Sequence, residues 1–151
     1  MVNDDLYLSE SWSCEMTDVE DSMLFSDFDP FWNSIRSSSL SFPKCNNCNR
    51  FHWYPKKLCP FCKSTNIHWT PIKGEGSIFS WTIVRHAFSD DYKDKIPYVI
   101  VLIEFDDAPG VRLVSNLTSD NLECIHFGMK VKPIYSLSEN NHPLVIFDTK
   151  V

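Results

Sequence analysis

The sequence predicts a mainly β protein in which a short helix and a metal-binding ribbon lead into a five-stranded barrel. Three observations carry this expectation: two CxxC pairs with ten residues between them, helix-start chemistry just ahead of the first pair, and five β-branched or aromatic runs after Gly74. The expected divisions are an acidic, flexible leader over residues 1–28, the helix and ribbon over 29–70, and the barrel over 71–151.

The helix is read at Asp29-Pro30-Phe31-Trp32-Asn33-Ser34-Ile35-Arg36. Asp29 suits the N-cap, because its carboxylate can accept from unpaired amides of the first turn, and Pro30 suits the first helical position, where no N–H is required. Three serines at 37–39 end the run. Phe31, Trp32 and Ile35 share one face at helical spacing, and that face packs on the ribbon or barrel or is offered to a partner.

Cys45-Asn46-Asn47-Cys48 and Cys59-Pro60-Phe61-Cys62 are the strongest signal in the chain. Each two-residue knuckle lets its paired thiolates converge, and two knuckles fill a tetrahedral shell around a zinc ion at about 2.3 Å per sulfur. Asn49 stands where such a turn needs a left-handed residue, a conformation asparagine tolerates better than most. Four protein ligands leave no open position, so the site is structural rather than a Lewis acid. A thioredoxin-like redox motif has a single CxxC near a βαβ pattern and does not fit. Iron satisfies the same thiolates, and ligand type does not separate it from zinc. His52, between the knuckles, is a packing or surface histidine because the shell is already complete. Leu40 to Lys44 leads into the first knuckle, and Phe51 to Pro55 is an extended return that lays its aromatics over the metal.

From Gly74 onward the pattern is that of strands. Ser77–Phe88, Pro97–Asp106, Val111–Thr118, Met129–Ser136 and Leu144–Asp148 are bounded by Gly, Pro, Asn or Asp. Asp106 to Gly110 and Asn140 to Pro143 read as tight turns, and Asp90 to Lys95 as a charged loop. Five antiparallel strands favour a partly open OB-type barrel over a sandwich, which needs about seven.

Composition sets the outer bounds. The chain has 151 residues, 43% apolar and 14% aromatic, which suffices for a packed core. No apolar run approaches the length of a membrane span, and the acidic start is unlike a secretory signal, so a cytoplasmic protein is expected. Cys14 and Cys124 are then free thiols, with Cys124 in the core. Residues 1–35 hold nine acids and no Lys or Arg, whereas the remainder carries 14 basic and 11 acidic groups. Such a leader is either solvated or orders against a partner or a basic patch through Leu6, Tyr7, Leu8, Trp12, Met16, Met23, Leu24, Phe25 and Phe28.

Other motifs carry little chemistry. Gly74-Glu75-Gly76 precedes a strand rather than a helix and is a turn, not a phosphate loop. Cys124 and His126 would share a strand face but lack an orienting acid.

From Phe31-Trp32 to Phe147 the order of motifs is specific: Cys45-x-x-Cys48, Pro55, Cys59-Pro60-x-Cys62, Gly74-x-Gly76 entering Trp81, Pro97-Tyr98, and Gly128-Met129-Lys130-Val131. In this order the chain resembles the stand-alone rubredoxin-like zinc ribbon plus OB-fold proteins that accompany thiolases and HMG-CoA synthases, catalogued as domain of unknown function thirty-five. It departs from them at Asn49 and Lys63, where that family has Gly, and at Lys56 and Lys57, where it has Pro and Arg. The resemblance implies one structural Zn2+ on Cys45, Cys48, Cys59 and Cys62, and no catalytic residue. It also implies a scaffold subunit that docks on a thiolase-like enzyme, in some systems together with a second acyl-CoA enzyme, and helps form or shield the acyl-CoA site. Phe31, Trp32 and Ile35 are the expected docking face. Lys56, Lys57 and Arg85, chosen on charge alone, are the expected contacts to CoA phosphates.

Two other functions compete. A single-stranded nucleic-acid-binding OB protein would stack bases on Trp53, Tyr54, Trp69 and Trp81, but the net charge of −6 opposes phosphate binding. An independent acyl-CoA enzyme would need a nucleophile or acid/base motif, and none is recognisable.

Overall fold

The computed structural model describes residues 26–149 except 88 and 139. The expected leader lies outside these residues up to position 25; Ser26–Phe28 form a 3-10 turn that runs directly into helix α1, Asp29–Arg36. The helix has the predicted bounds, but its cap differs. Phe28 holds the N-cap position without a side-chain cap, and Asp29 sits inside the first turn, where its charge meets the helix dipole instead. At the other end the serines stop the helix as expected. Ser38 is left-handed (φ 54°), its N–H donates to the Ile35 carbonyl, and the Ser39 N–H donates to the Ser34 carbonyl, which closes a Schellman turn without glycine.

The ribbon sheet pairs β1 (Leu40–Cys45) with β2 (Ile67–Ile72), antiparallel from Leu40↔Ile72 to Cys45↔Ile67. β2 was not foreseen, because His68 and Pro71 interrupt its apolar pattern; it carries the ribbon to Ile72, past the expected division at residue 70.

The barrel has five strands, β3 (Gly76–Val84), β4 (Tyr98–Glu104), β5 (Arg112–Thr118), β6 (Lys130–Leu137) and β7 (Pro143–Asp148). Their order β3-β4-β5-β7-β6 closes on itself, so the barrel is complete rather than partly open. One pair departs from the all-antiparallel expectation: β5 and β7 run parallel at Leu117↔Phe147. The first strand is shorter than predicted, since regular pairing ends at Val84. The turn from Asp106 to Gly110 joins β4 to β5, and the Asn140–Pro143 segment leads into β7. Gly76 is required by packing: a Cβ there would lie 2.8 Å from the Glu104 carbonyl oxygen and against the Ile103 side chain.

Period-two burial fills the barrel. Val99, Val101 and Ile103 alternate inward along β4 and meet Ile78, Leu113, Leu117, Val131 and Phe147. The core does not stop at the barrel. Phe105 stands 6.2 Å from Phe147 and 5.4 Å from Phe42 of β1, which in turn touches Phe31 of α1 and Trp53 at ring separations of 6.1 and 5.1 Å. Helix, ribbon and barrel thus share one aromatic core. Burying each such ring contributes about 1.5–3 kcal/mol, so the shared core adds to what a ribbon of this size gathers alone.

Candidate metal centre and an adjoining groove

Both knuckles are built alike. In the first, the Asn49 N–H donates to the Cys45 carbonyl at 2.8 Å and the Cys45 N–H to the Arg50 carbonyl at 3.0 Å. In the second, the Lys63 N–H donates to the Cys59 carbonyl at 3.0 Å and the Cys59 N–H to the Ser64 carbonyl at 2.9 Å. Asn49 is left-handed as the sequence predicted (φ 62°), and Lys63 takes the same conformation at φ 61°. A lysine carries a steric cost there that glycine lacks.

The turns bring the sulfurs of Cys45, Cys48, Cys59 and Cys62 within 4.8 Å of one another. Cys45 to Cys62 and Cys48 to Cys59 are both 3.6 Å apart, close to the roughly 3.8 Å edge of a tetrahedron with 2.3 Å metal–sulfur bonds. Cys45 and Cys59 are buried, the other two half-buried. Their acidities diverge sharply. The Asn47 side-chain amide, which donates to the Cys62 sulfur at 3.4 Å, and the Ser64 N–H bring the Cys62 thiol down to about 6. Burial raises the Cys59 thiol, but the Cys62 and Phe61 N–H groups outweigh it and lower the net value. Cys48 is pushed up to about 11: the Arg50 N–H favours its thiolate, but burial and the three neighbouring sulfurs prevail. Four crowded sulfurs cannot all be ionised without a cation among them, and a divalent metal meets that requirement. The donor set fits a thiophilic ion.

The aromatic return divides between the ribbon and the helix. Trp53 turns away and packs on Phe31, Phe42 and Phe28, with ring centroids 4.9, 5.1 and 5.7 Å away, and Tyr54 stacks on it at 5.2 Å. Phe51, the first residue of the return, stays beside the knuckles under Lys44, and Arg50 lies over the Phe61 ring. His52 is buried, as the packing alternative required.

The expected docking face needs correction. Phe31 and Ile35 are 3% and 2% exposed and belong to the core; only Trp32, at 37%, is open to a partner. Helix amphipathicity was legible, but its apolar face is consumed by β1, β6 and β7. Lys56, Lys57 and Arg85 are all exposed, the lysines between the return and the second knuckle and Arg85 just beyond β3. Cys124 is exposed, not core: it ends a 3-10 turn, Leu122–Cys124, and the His126 ring lies 2.9 Å from its carbonyl rather than beside it on a strand. Of the proposed stacking residues only Tyr54 is exposed; Trp53, Trp69 and Trp81 are packed against the core.

Sequence reasoning missed a groove of about 850 Å³ between α1, the aromatic return and the outer face of β5 and β7. Phe28, Trp32, Trp53 and Tyr54 form one wall; Leu113 to Asn116 and His142 to Val145 form the other, and Arg36 sits at the rim. Val114, Leu144 and Tyr54 are exposed on it. The clue in the sequence was Val114 and Leu144, apolar residues at outward positions of their strands. Among the described residues no helix is long and apolar enough to cross a membrane.

Comparison with known proteins agrees with this architecture. Residues 32–68 match the ChsH2 rubredoxin-like zinc ribbon domain and residues 69–135 the ChsH2 C-terminal OB-fold domain. A DUF35 domain-containing scaffold protein of Pyrococcus furiosus is 33% identical over 108 residues, covering 69% of this chain and 74% of that protein. Its counterpart in Methanocaldococcus jannaschii is 26% identical over 106 residues, covering 69% and 73%. Among solved structures, the Ltp2-ChsH2(DUF35) aldolase superposes with a TM-score of 0.72 at 24% identity, over 83% of this chain and 95% of that one. A DUF35 protein of unknown function from Sulfolobus solfataricus gives 0.58 at 21% identity, over 85% and 94%. The ribbon match precedes the OB-fold match as the two parts do here, and the chain belongs to the DUF35 family of scaffold proteins.

Proposed function

We propose that this chain is a non-catalytic subunit that binds one structural zinc ion through Cys45, Cys48, Cys59 and Cys62, docks on a thiolase-like enzyme in the cytoplasm and helps form or shield its acyl-CoA site. The partner is a thiolase, HMG-CoA synthase, aldolase or acyltransferase. The observation that carries this reading is the pairing, in one small fold, of a metal centre saturated by protein sulfurs with an exposed aromatic and apolar groove. The first cannot activate water or substrate; the second is the kind of surface that buries against another protein. The names of the relatives support it: the archaeal proteins are called scaffolds, and one solved structure is described as an aldolase made of Ltp2 and a DUF35 chain. Trp32 is the helix residue available to such a partner, and Lys56, Lys57 and Arg85 remain the candidates for CoA phosphates.

Native mass spectrometry of the protein purified from its own cells tests the reading. One zinc per chain together with a thiolase-like subunit is expected. A zinc-loaded chain that carries only nucleic acid, or that transfers acyl groups by itself, would replace it. Charge reversal at Lys56, Lys57 and Arg85 together should weaken acyl-CoA use by the assembled enzyme; unchanged turnover removes the phosphate assignment.

A further inference from the structure

The stretch just before Phe28 in the sequence has the composition to fill the groove. Phe28, the last residue of the 3-10 turn, already lines the groove, packed edge-on against Trp53 at 5.7 Å and tilted against Tyr54 at 6.0 Å. The residues immediately before that turn read Asp18-Val19-Glu20-Asp21-Ser22-Met23-Leu24-Phe25: a large apolar triplet preceded by three acids and no base. The surface around the groove offers the complement. Val114, Leu144, Trp32 and Tyr54 are exposed apolar and aromatic walls, and Arg36 donates only to the Asn141 carbonyl among the described residues. Lys56 and Lys57 follow Tyr54 directly after Pro55, and Lys95 lines a second hollow that shares Val114, Ser115 and Asn116 with the groove. Among the described residues that line the groove the one acid is Asp29, next to Phe28. Reach is no obstacle, since eight residues can span up to about 25 Å.

We propose that residues 18–25 of the same chain dock in this groove, with Met23, Leu24 and Phe25 against Val114, Leu144 and Trp32, and Asp18, Glu20 and Asp21 toward the basic rim. The segment thereby covers an apolar surface that would otherwise face water in the isolated protein. The segment takes the groove that the scaffold reading offers to an enzyme, so a partner, whichever enzyme it is, must displace it.

The test uses the full zinc-loaded chain with a nitroxide on Cys14, Cys124→Ser to leave one reactive thiol, and amide signals read by NMR. Docking is expected to more than halve the Val114 and Leu144 amide intensities, and replacing Met23, Leu24 and Phe25 by Ser should restore them, because the tether length is unchanged while the apolar anchor is gone. Raising salt should weaken the effect in the parent chain. Broadening that survives the triple replacement, or that is confined to residues next to Ser26, overturns the proposal. So does broadening that appears when labelled chain is mixed with unlabelled isotopic chain, since the occupant is then a second copy.

Discussion

The side-chain amide of Asn47, in the first knuckle, donates across 3.4 Å to the sulfur of Cys62 in the second. It ties the two halves of the metal centre together and favours the thiolate that a metal requires. Asn47→Ala should therefore hold zinc about tenfold less tightly, the lower end of what such supporting hydrogen bonds contribute. Competition with a chromophoric chelator checks this; an unchanged zinc affinity would show that the bond is incidental.

Cys59→Ser removes a buried ligand and should abolish stoichiometric zinc binding. Metal binding is worth about 10–16 kcal/mol in comparable small sites, so the ribbon should unfold. Because Leu40 and Phe42 of the ribbon are fully buried in the same core as Phe105, the loss should reach the barrel as well. Near-ultraviolet circular dichroism would show a lowered melting temperature for the whole chain; a barrel that melts as before would mean that the two parts fold independently.

Phe31 and Trp32 are neighbours with opposite roles. Phe31→Ala opens a cavity between helix, ribbon and Trp53 and should destabilise the fold by about 3–5 kcal/mol. Trp32→Ala should cost less stability but weaken assembly with the partner enzyme. Urea denaturation and a binding isotherm for the two variants separate these effects.

Gly76→Ala should destabilise by about 1–3 kcal/mol, because its Cβ has no room beside the Glu104 carbonyl and the β3–β4 register cannot relax without moving Ile103. Thermal melting reads the loss directly.

Burial is the main cause holding the His52 ring below its ordinary 6.5, and the Lys56 ammonium adds to it. The folded protein thus resists protonating His52 while the unfolded chain accepts the proton. Stability from this group is complete above pH 6.5 and is lost as the pH falls below it. The difference in melting temperature between the parent chain and His52→Leu should shift in favour of the variant from pH 7.5 toward pH 5.5. A difference that stays constant with pH would mean that His52 takes up its proton as readily in the fold as in the unfolded chain.

Much of this was legible because the governing forces act over a few residues. Thiolates two apart in each knuckle, an asparagine at a left-handed turn and three serines after Arg36 fix local geometry whatever surrounds them. Strand number followed from alternation, for the same reason. The left-handed Lys63 was harder to see, since its side chain has no preference for that conformation and only the repeat of the knuckle geometry imposes it.

The sequence by itself determined the four converging cysteines, the stop at the helix C-terminus and the count of barrel strands. Only the tertiary structure decided that Phe31 and Ile35 are spent inside, that Cys124 lies outside, that β5 and β7 close the barrel in parallel, and that Trp32, Tyr54, Val114 and Leu144 converge on one groove. Spacing constrains chelation because the ligands are near in the chain. Burial depends on which surfaces meet, and those surfaces come from residues as far apart as Phe31 and Phe147.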